Sequence, residues 1–218
     1  MSDFYNPQQR DPSISRRPQN RRDDDWIREL LARVNIGRVA TVWQSEDGQP
    51  FPFITTLAYA YRPATHDIVY HTNITGRLWA NTGQSQQLGH AATFEATEIG
   101  CLLPSNNPLE LSVQYRSAVA FGSARLLSDR EEARAALTVL SERLFPDLQI
   151  GQQTRPILDA DLARTSVYSL AVERWSGKEN WQPMTDQTED WPALTPELAR
   201  LRPAIPNLTV PHPARVRP

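Results

Sequence analysis

Along the middle of the chain apolar residues recur with a period of two, the pattern of strands whose successive side chains face opposite sides of a sheet. "GRVATVWQ" sets Val39, Thr41 and Trp43 against Ala40 and Val42, and Glu46-Asp47-Gly48 is a hairpin turn signal before "PFPFITTLAYAY". Another turn, Pro63 to Asp67, leads to "IVYHT". These segments predict three antiparallel strands joined by short loops. "HAATFEATEI", "LELSVQYRSAVAFGSARLL" and "RTSVYSLAVERW" supply further strand-rich stretches. The period becomes helical in three places. Asp25 caps "WIRELLARV", where Trp26, Leu30 and Val34 predict a helix over about 25–35; a short helix is expected over about 76–83; and Ser128-Asp129 opens "REEARAALTVLSERLF", with Ala133, Leu137, Leu140 and Leu144 on its apolar face and Pro146 as its stop. Six or so antiparallel strands, two or three flanking helices and no βαβ alternation predict an α+β, mainly β domain built as a small barrel.

Both ends break this pattern. Residues 1–24 are polar, proline-bearing and almost free of aliphatic side chains, so they bury too little surface to offset ordering entropy and are expected to form a flexible arm. From 186 to 218 the chain carries many of its 18 prolines, which remove backbone donors, and an extended tail is expected there. The folded domain is therefore placed at 25–185.

Composition narrows the partners. A net charge of -2 gives no global field toward nucleic acid, and Asp11, Asp23, Asp24 and Asp25 offset Arg16, Arg17, Arg21 and Arg22 in the arm. No nucleic-acid partner is expected. No apolar run approaches the roughly 20 residues needed to cross a bilayer, and the N-terminus lacks a signal peptide's apolar centre. Together with the single cysteine, Cys101, which excludes an internal disulfide framework, this predicts a cytoplasmic protein without a membrane partner. Lys178 is the sole lysine, so nearly every cation is a planar guanidinium suited to bidentate phosphate or carboxylate pairing.

One stretch carries candidate chemistry: "IVYHTNITGRLWANT", Ile68 to Thr82. A strand that runs through Thr-Asn-Ile-Thr-Gly into a helix opening on Arg77 suits an anion. Thr72 and Thr75 offer hydroxyls, Gly76 allows close backbone approach, and Arg77 offers a charge-assisted hydrogen bond to phosphate. The same residues read equally as an ordinary Thr-capped helix followed by an exposed arginine. No His spacing such as H-x-x-x-H relates His66, His71, His90 and His212, so no metal centre is expected. G-x-S-x-G, P-loop and dinucleotide-fingerprint motifs are absent as well.

"YHTNITGRL" resembles the phosphate-binding stretch of the pyridoxamine 5′-phosphate oxidase superfamily, and "GRVATVWQSEDGQPFPFITTLAYAY", "YRSAVAFGSARLLSDREEARAAL" and "TRPILDADLARTSVYSLAVERWSGK" resemble successive blocks of its flavin-nucleotide-binding, nitroimidazole-reductase-like branch. The resemblance covers roughly residues 20–180. It implies a split β-barrel that homodimerises and holds FMN in a cleft between subunits. Carried over by position, it makes His71, Thr72 and Arg77 phosphate ligands, with Asn73 and Gly76 shaping the turn. Leu78 departs from the lysine often found in the superfamily, and Arg116 or an arm arginine is the expected replacement cation. Phe53, Ile54, Thr55, Thr56 and Leu57 match the strand along the isoalloxazine edge, or else form an ordinary barrel strand. Tyr115, Arg116 and Ser117 fall where the oxidases reach the flavin, with a cross-strand ion pair as the other reading of Arg116. Lys178, between Trp175 and Trp181, completes a flavin face or a subunit contact.

The implied function is electron or hydride transfer from a reduced nicotinamide to a small organic acceptor, with no side chain assigned as catalytic. Flavin storage without turnover, or a cofactor-free dimeric scaffold, are the alternatives, and a deazaflavin or haem the alternative ligands.

Overall fold

A computed structural model of the chain describes residue 8, residues 10–82 and residues 89–205. Parts of the expected arm (1–7 and 9), the end of the expected second helix at 83 and the tail from 206 lie outside the described residues. The elements run β1 (Arg21–Arg22), α1 (Asp24–Arg33), β2 (Ile36–Gln44), β3 (Pro50–Arg62), β4 (Asp67–Asn73), α2 (Arg77–Thr82), β5 (His90–Leu103), β6 (Ser112–Leu126), α3 (Arg130–Leu144), α4 (Asp159–Leu162), β7 (Thr165–Asn180) and β8 (Arg202–Pro203). Strand order is β1-β7-β4-β3-β2-β5-β6, and a β7–β6 pairing closes six strands into a ring. The mainly β, α+β split barrel read from the sequence is the observed fold. The strands beyond six are β1 and β8, two residues each.

The described chain falls into two compact units. The first holds residues through Thr97 together with Ser117–Lys178; the second holds Glu98–Arg116 and the chain from Glu179. In the first, Tyr59, Tyr70, Phe94, Tyr168 and Leu170 meet inside the ring, and α1 adds Ile27, Leu30 and Leu31 while α2 adds Leu78. Full burial of each such side chain contributes roughly 1.5–3 kcal/mol. Alternation along β3, β4 and β7 turns Ala60, Val69 and Val167 to the opposite face, where α3 covers them with Ala133, Ala136, Leu137 and Leu140. At Gly122 a Cβ would sit 1.8 Å from the carbonyl oxygen of Ala171, so the approach of β6 to β7 that closes the ring admits only glycine.

Local chemistry sets the helix ends. Asp23, and not Asp25, caps α1, its Oδ1 accepting from the Trp26 amide at 2.9 Å; Asp129 caps α3 by accepting from Glu132 at 2.8 Å. Before residue 24 the chain is not wholly the expected free arm: Arg21 and Arg22 pair with Lys178 and Gly177, and the Arg21 guanidinium binds the Ser15 carbonyl. A two-residue strand needs little apolar burial when an existing edge supplies its backbone partners. In the second unit the proline-rich segment after 186 is held likewise by polar contacts. The Asn106 side-chain amide donates to the carbonyls of Thr188 and Trp191, and β8 pairs with Cys101 and Leu102.

One ion pair anchors β3, β4 and β7 together. Asp67, 4% exposed, accepts from Arg62 (Nε to Oδ1, 2.8 Å), Thr65 and Ser169. Burial alone would raise the Asp67 pKa, but these bonds outweigh it and hold the carboxyl below its ordinary value. The group's contribution to stability is therefore fully present above about pH 4, the pKa range of an unfolded Asp, and is lost as pH falls through the lower folded value. Asp67→Ala leaves Arg62 without its partner and is expected to cost roughly 3 kcal/mol in urea unfolding at neutral pH, a difference that narrows in acid.

Candidate functional site

The Ile68 to Thr82 stretch folds into a strand end, a turn and a short helix, and its polar groups are largely committed to one another. Asn73 Oδ1 accepts from the Thr75 amide at 2.9 Å and from its hydroxyl at 2.8 Å. The Gly76 amide donates to the Asn73 carbonyl at 2.8 Å, and the Thr72 hydroxyl to the same oxygen at 3.3 Å. Asn73 and Gly76 thus form the turn itself. The hydroxyls and the amides at 75 and 76 that suggested an anion cradle already have partners. With six residues, α2 adds little dipole of its own.

Leu78 and Thr82 dock α2 on the barrel. Leu78 is 1% exposed, and the Thr82 hydroxyl lies 3.1 Å from the Tyr168 hydroxyl and 2.7 Å from the Leu78 carbonyl. Arg77 and Asn81, four residues apart and so on one helical face, turn instead toward a cleft of about 510 Å³ lined by Val42, Trp43, Gln44, Arg77, Ala80, Asn81 and His90. That volume lies within the roughly 300–1,000 Å³ of small-molecule sites. The Asn81 amide donates to Thr41 at 3.0 Å. The Arg77 guanidinium lies 5.8 Å from the centre of the Trp43 ring and has no ion pair among the described residues.

Of the residues expected from sequence, Arg77 alone lines this cleft. Phe53, Ile54, Thr55 and Thr56 lie on β3 opposite Thr41, Ala40, Val39 and Arg38; Phe53, Ile54 and Thr56 are exposed, and Thr55 is half-buried. Thr72 pairs with Ser166 on the face that carries Tyr70 and Tyr168, whereas His71 pairs with Val167 and takes the opposite face. Adjacent strand residues point apart, so His71 and Thr72 do not converge. His71 is exposed on the strand, and partial desolvation pushes its pKa below the ordinary histidine value.

Ser117 lies on β6, and Lys178 lies on β7 opposite Arg21. Tyr115 and Arg116 belong to the second unit. There Arg116 reaches Glu179 at 3.2 Å and Glu98 at 3.5 Å and stacks 4.2 Å from the Trp181 ring centre. This is the cross-strand ion pair, and it leaves Arg116 without the free charge expected to replace a lysine at position 78.

Trp43, Gln44, Asn81 and His90 were not legible as site residues. Asn81 carries a signal, its i+4 spacing from Arg77, whereas His90 carries none beyond the absence of metal-ligand spacing. Among the described residues no group of three His, Cys, Asp or Glu is placed to hold a metal, and no helix is long and apolar enough to cross a membrane.

The cleft suits a nucleotide's anionic end. It offers a guanidinium with no ion pair among the described residues, a tryptophan wall, and His90, whose Nε2 is shielded from solvent with no hydrogen-bond partner among the described residues. On β3, the Thr55 hydroxyl is likewise shielded and unpartnered. A buried donor or acceptor left unmade costs about 1–3 kcal/mol, which a ligand oxygen at His90 would relieve.

A family model described as pyridoxamine 5′-phosphate oxidase matches residues 23–179. No curated protein matches the chain. Among solved structures, similarity extends to the flavocytochrome Anf3 from Azotobacter vinelandii (18% identity, TM-score 0.69, 94% of this chain and 88% of that one). It extends also to an FAD and heme binding protein from Mycobacterium smegmatis (23%, 0.63, 90% and 91%). A third is a candidate 5-nitroimidazole antibiotic resistance protein from Bacteroides thetaiotaomicron (15%, 0.54, 72% and 84%).

Because position 78 faces the core, a lysine there cannot serve the cleft. Leu78→Lys is expected to destabilise the fold by about 3 kcal/mol or more, seen as a lowered midpoint of chemical unfolding, without any gain in phosphate binding.

Proposed function

The chain belongs to the pyridoxamine 5′-phosphate oxidase family, and from that premise we propose that it is an FMN-binding, homodimeric oxidoreductase. The observation that carries this reading is the cleft at α2, where an arginine without a carboxylate partner among the described residues lies beside a tryptophan face. Arg77 binds the phosphate through charge-assisted hydrogen bonds. Trp43 and Val42 exclude water from that end of the cleft, and Asn81, tied to Thr41, holds the helix face that presents Arg77. The bound flavin would supply hydride and electron transfer between a reduced nicotinamide and a small organic acceptor. No side chain of the cleft is assigned a proton-transfer role.

Exposed apolar side chains on the β2–β3 hairpin support dimerisation. Val42, Phe51, Phe53 and Ile54 are 56%, 51%, 37% and 61% exposed, an apolar surface that a second copy would cover. Placing the flavin between subunits gives the exposed end of β3, Phe53 to Thr56, its part in covering the ring. The relative named for FAD and heme favours a second reading in which the flavin is a dinucleotide.

The purified protein is expected to show a flavin absorption band after reconstitution with FMN, and the band should bleach on anaerobic addition of NADPH. FMN titrated by fluorescence quenching should bind Arg77→Ala at least about tenfold more weakly than the wild type, and FAD titrated alongside decides between the two nucleotides. A colourless protein, or an Arg77→Ala variant with unchanged affinity, contradicts the assignment. Ile54→Asp should shift the sedimentation coefficient from dimer to monomer.

A further inference from the structure

The phosphate end proposed above is one cation short. A phosphate monoester carries about −1.5 to −2 charges at neutral pH, and Arg77 offers one positive charge. Position 78, whose side chain is buried, supplies no charge to the cleft. Arg116 is engaged by Glu98 and Glu179. Arg21 and Arg22, the described arm arginines nearest the domain, donate to the carbonyls of Ser15 and Gln19. The turn's own hydroxyls and amides are bonded to Asn73. A second donor must come from elsewhere in the cleft.

His90 meets that need. It opens β5, lines the same cleft as Arg77, and its Nε2 is shielded from solvent with no hydrogen-bond partner among the described residues. A shielded imidazole nitrogen at the start of a strand is incomplete until an outside atom reaches it. The remaining polar groups of the cleft do not compete for it: Asn81 is bonded to Thr41, and Gln44 is exposed at the strand end. Among the described residues no ligand set would make His90 a metal site. Building on the nucleotide reading, we propose that His90 is a second phosphate-binding residue, its Nε2–H donating to a phosphate oxygen held also by Arg77. Either the neutral Nε2–H tautomer or the imidazolium can make that bond.

The test compares FMN with riboflavin, the same ring system without phosphate, by fluorescence quenching on the full chain. Wild type, Arg77→Ala, His90→Phe and His90→Gln are titrated with both, and circular dichroism checks that each variant is folded. His90→Phe is expected to weaken FMN about tenfold while leaving riboflavin unchanged, and His90→Gln, which keeps an N–H donor, to recover part of the loss. If Phe disturbs folding, His90→Ala carries the same expectation. Wild-type FMN affinity in a folded His90→Phe or His90→Ala variant, while Arg77→Ala is weakened, overturns the role of His90 and leaves the nucleotide reading intact. Equal losses for FMN and riboflavin also overturn it, since they mark a ring or packing role. A wild-type chain that binds neither flavin removes the nucleotide reading itself, and the proposal with it.

Discussion

The burial of Leu78 and Thr82 fixes everything at the cleft. A six-residue helix has too few internal hydrogen bonds to stand on its own, so its orientation comes from the side chains it plugs into the barrel. Once Leu78 is seated inside the ring and Thr82 reaches the Tyr168 hydroxyl, the helical repeat leaves Arg77 and Asn81 no choice but the outward face. The site is thus a by-product of core packing. Leucine at 78 costs the cleft no cation, because no side chain at that position reaches it. It deepens the contact that aims the arginine before it.

The frame was legible in the sequence because period two and period 3.6 are direct consequences of which face is buried. The strands and the three main helices fell where those periods placed them, and the ring closed as the absence of βαβ units implied. Failures lay where local chemistry competes at short range. Asp23, Asp24 and Asp25 all resemble caps, and only the hydrogen bond to Trp26 distinguishes the one that serves. β1 and α4 are too short to leave a periodic trace.

The site was less legible, and for one reason. A sequence motif shows which donors exist and not which are already bonded. "Thr-Asn-Ile-Thr-Gly" reads either as an anion cradle or as an ordinary helix cap, and in the fold the Asn73 side chain and carbonyl collect the hydroxyls of Thr72 and Thr75 and the amides of 75 and 76. Pleating separates His71 from Thr72 in the same way, although they are neighbours in the chain. The residues that join Arg77 come from β2 and β5, far away in sequence, and only the closed sheet brings Trp43 and His90 to the helix.

Arg77 and Arg116 make the point about charge most clearly. Each guanidinium lies over a tryptophan, at 5.8 Å for Trp43 and 4.2 Å for Trp181. Stacking therefore does not separate them, and a planar cation on an indole face is a stable arrangement in either setting. Counter-charge does. Arg116 is held between Glu98 and Glu179, so an incoming anion would have to displace two carboxylates and meet their repulsion. Arg77 has no such partner among the described residues, and it lines the cleft beside Trp43. The two arginines are chemically identical, but Arg77 is exposed and Arg116 is half-buried. Electrostatic compensation makes one a structural tie between strands and leaves the charge of the other uncompensated among the described residues.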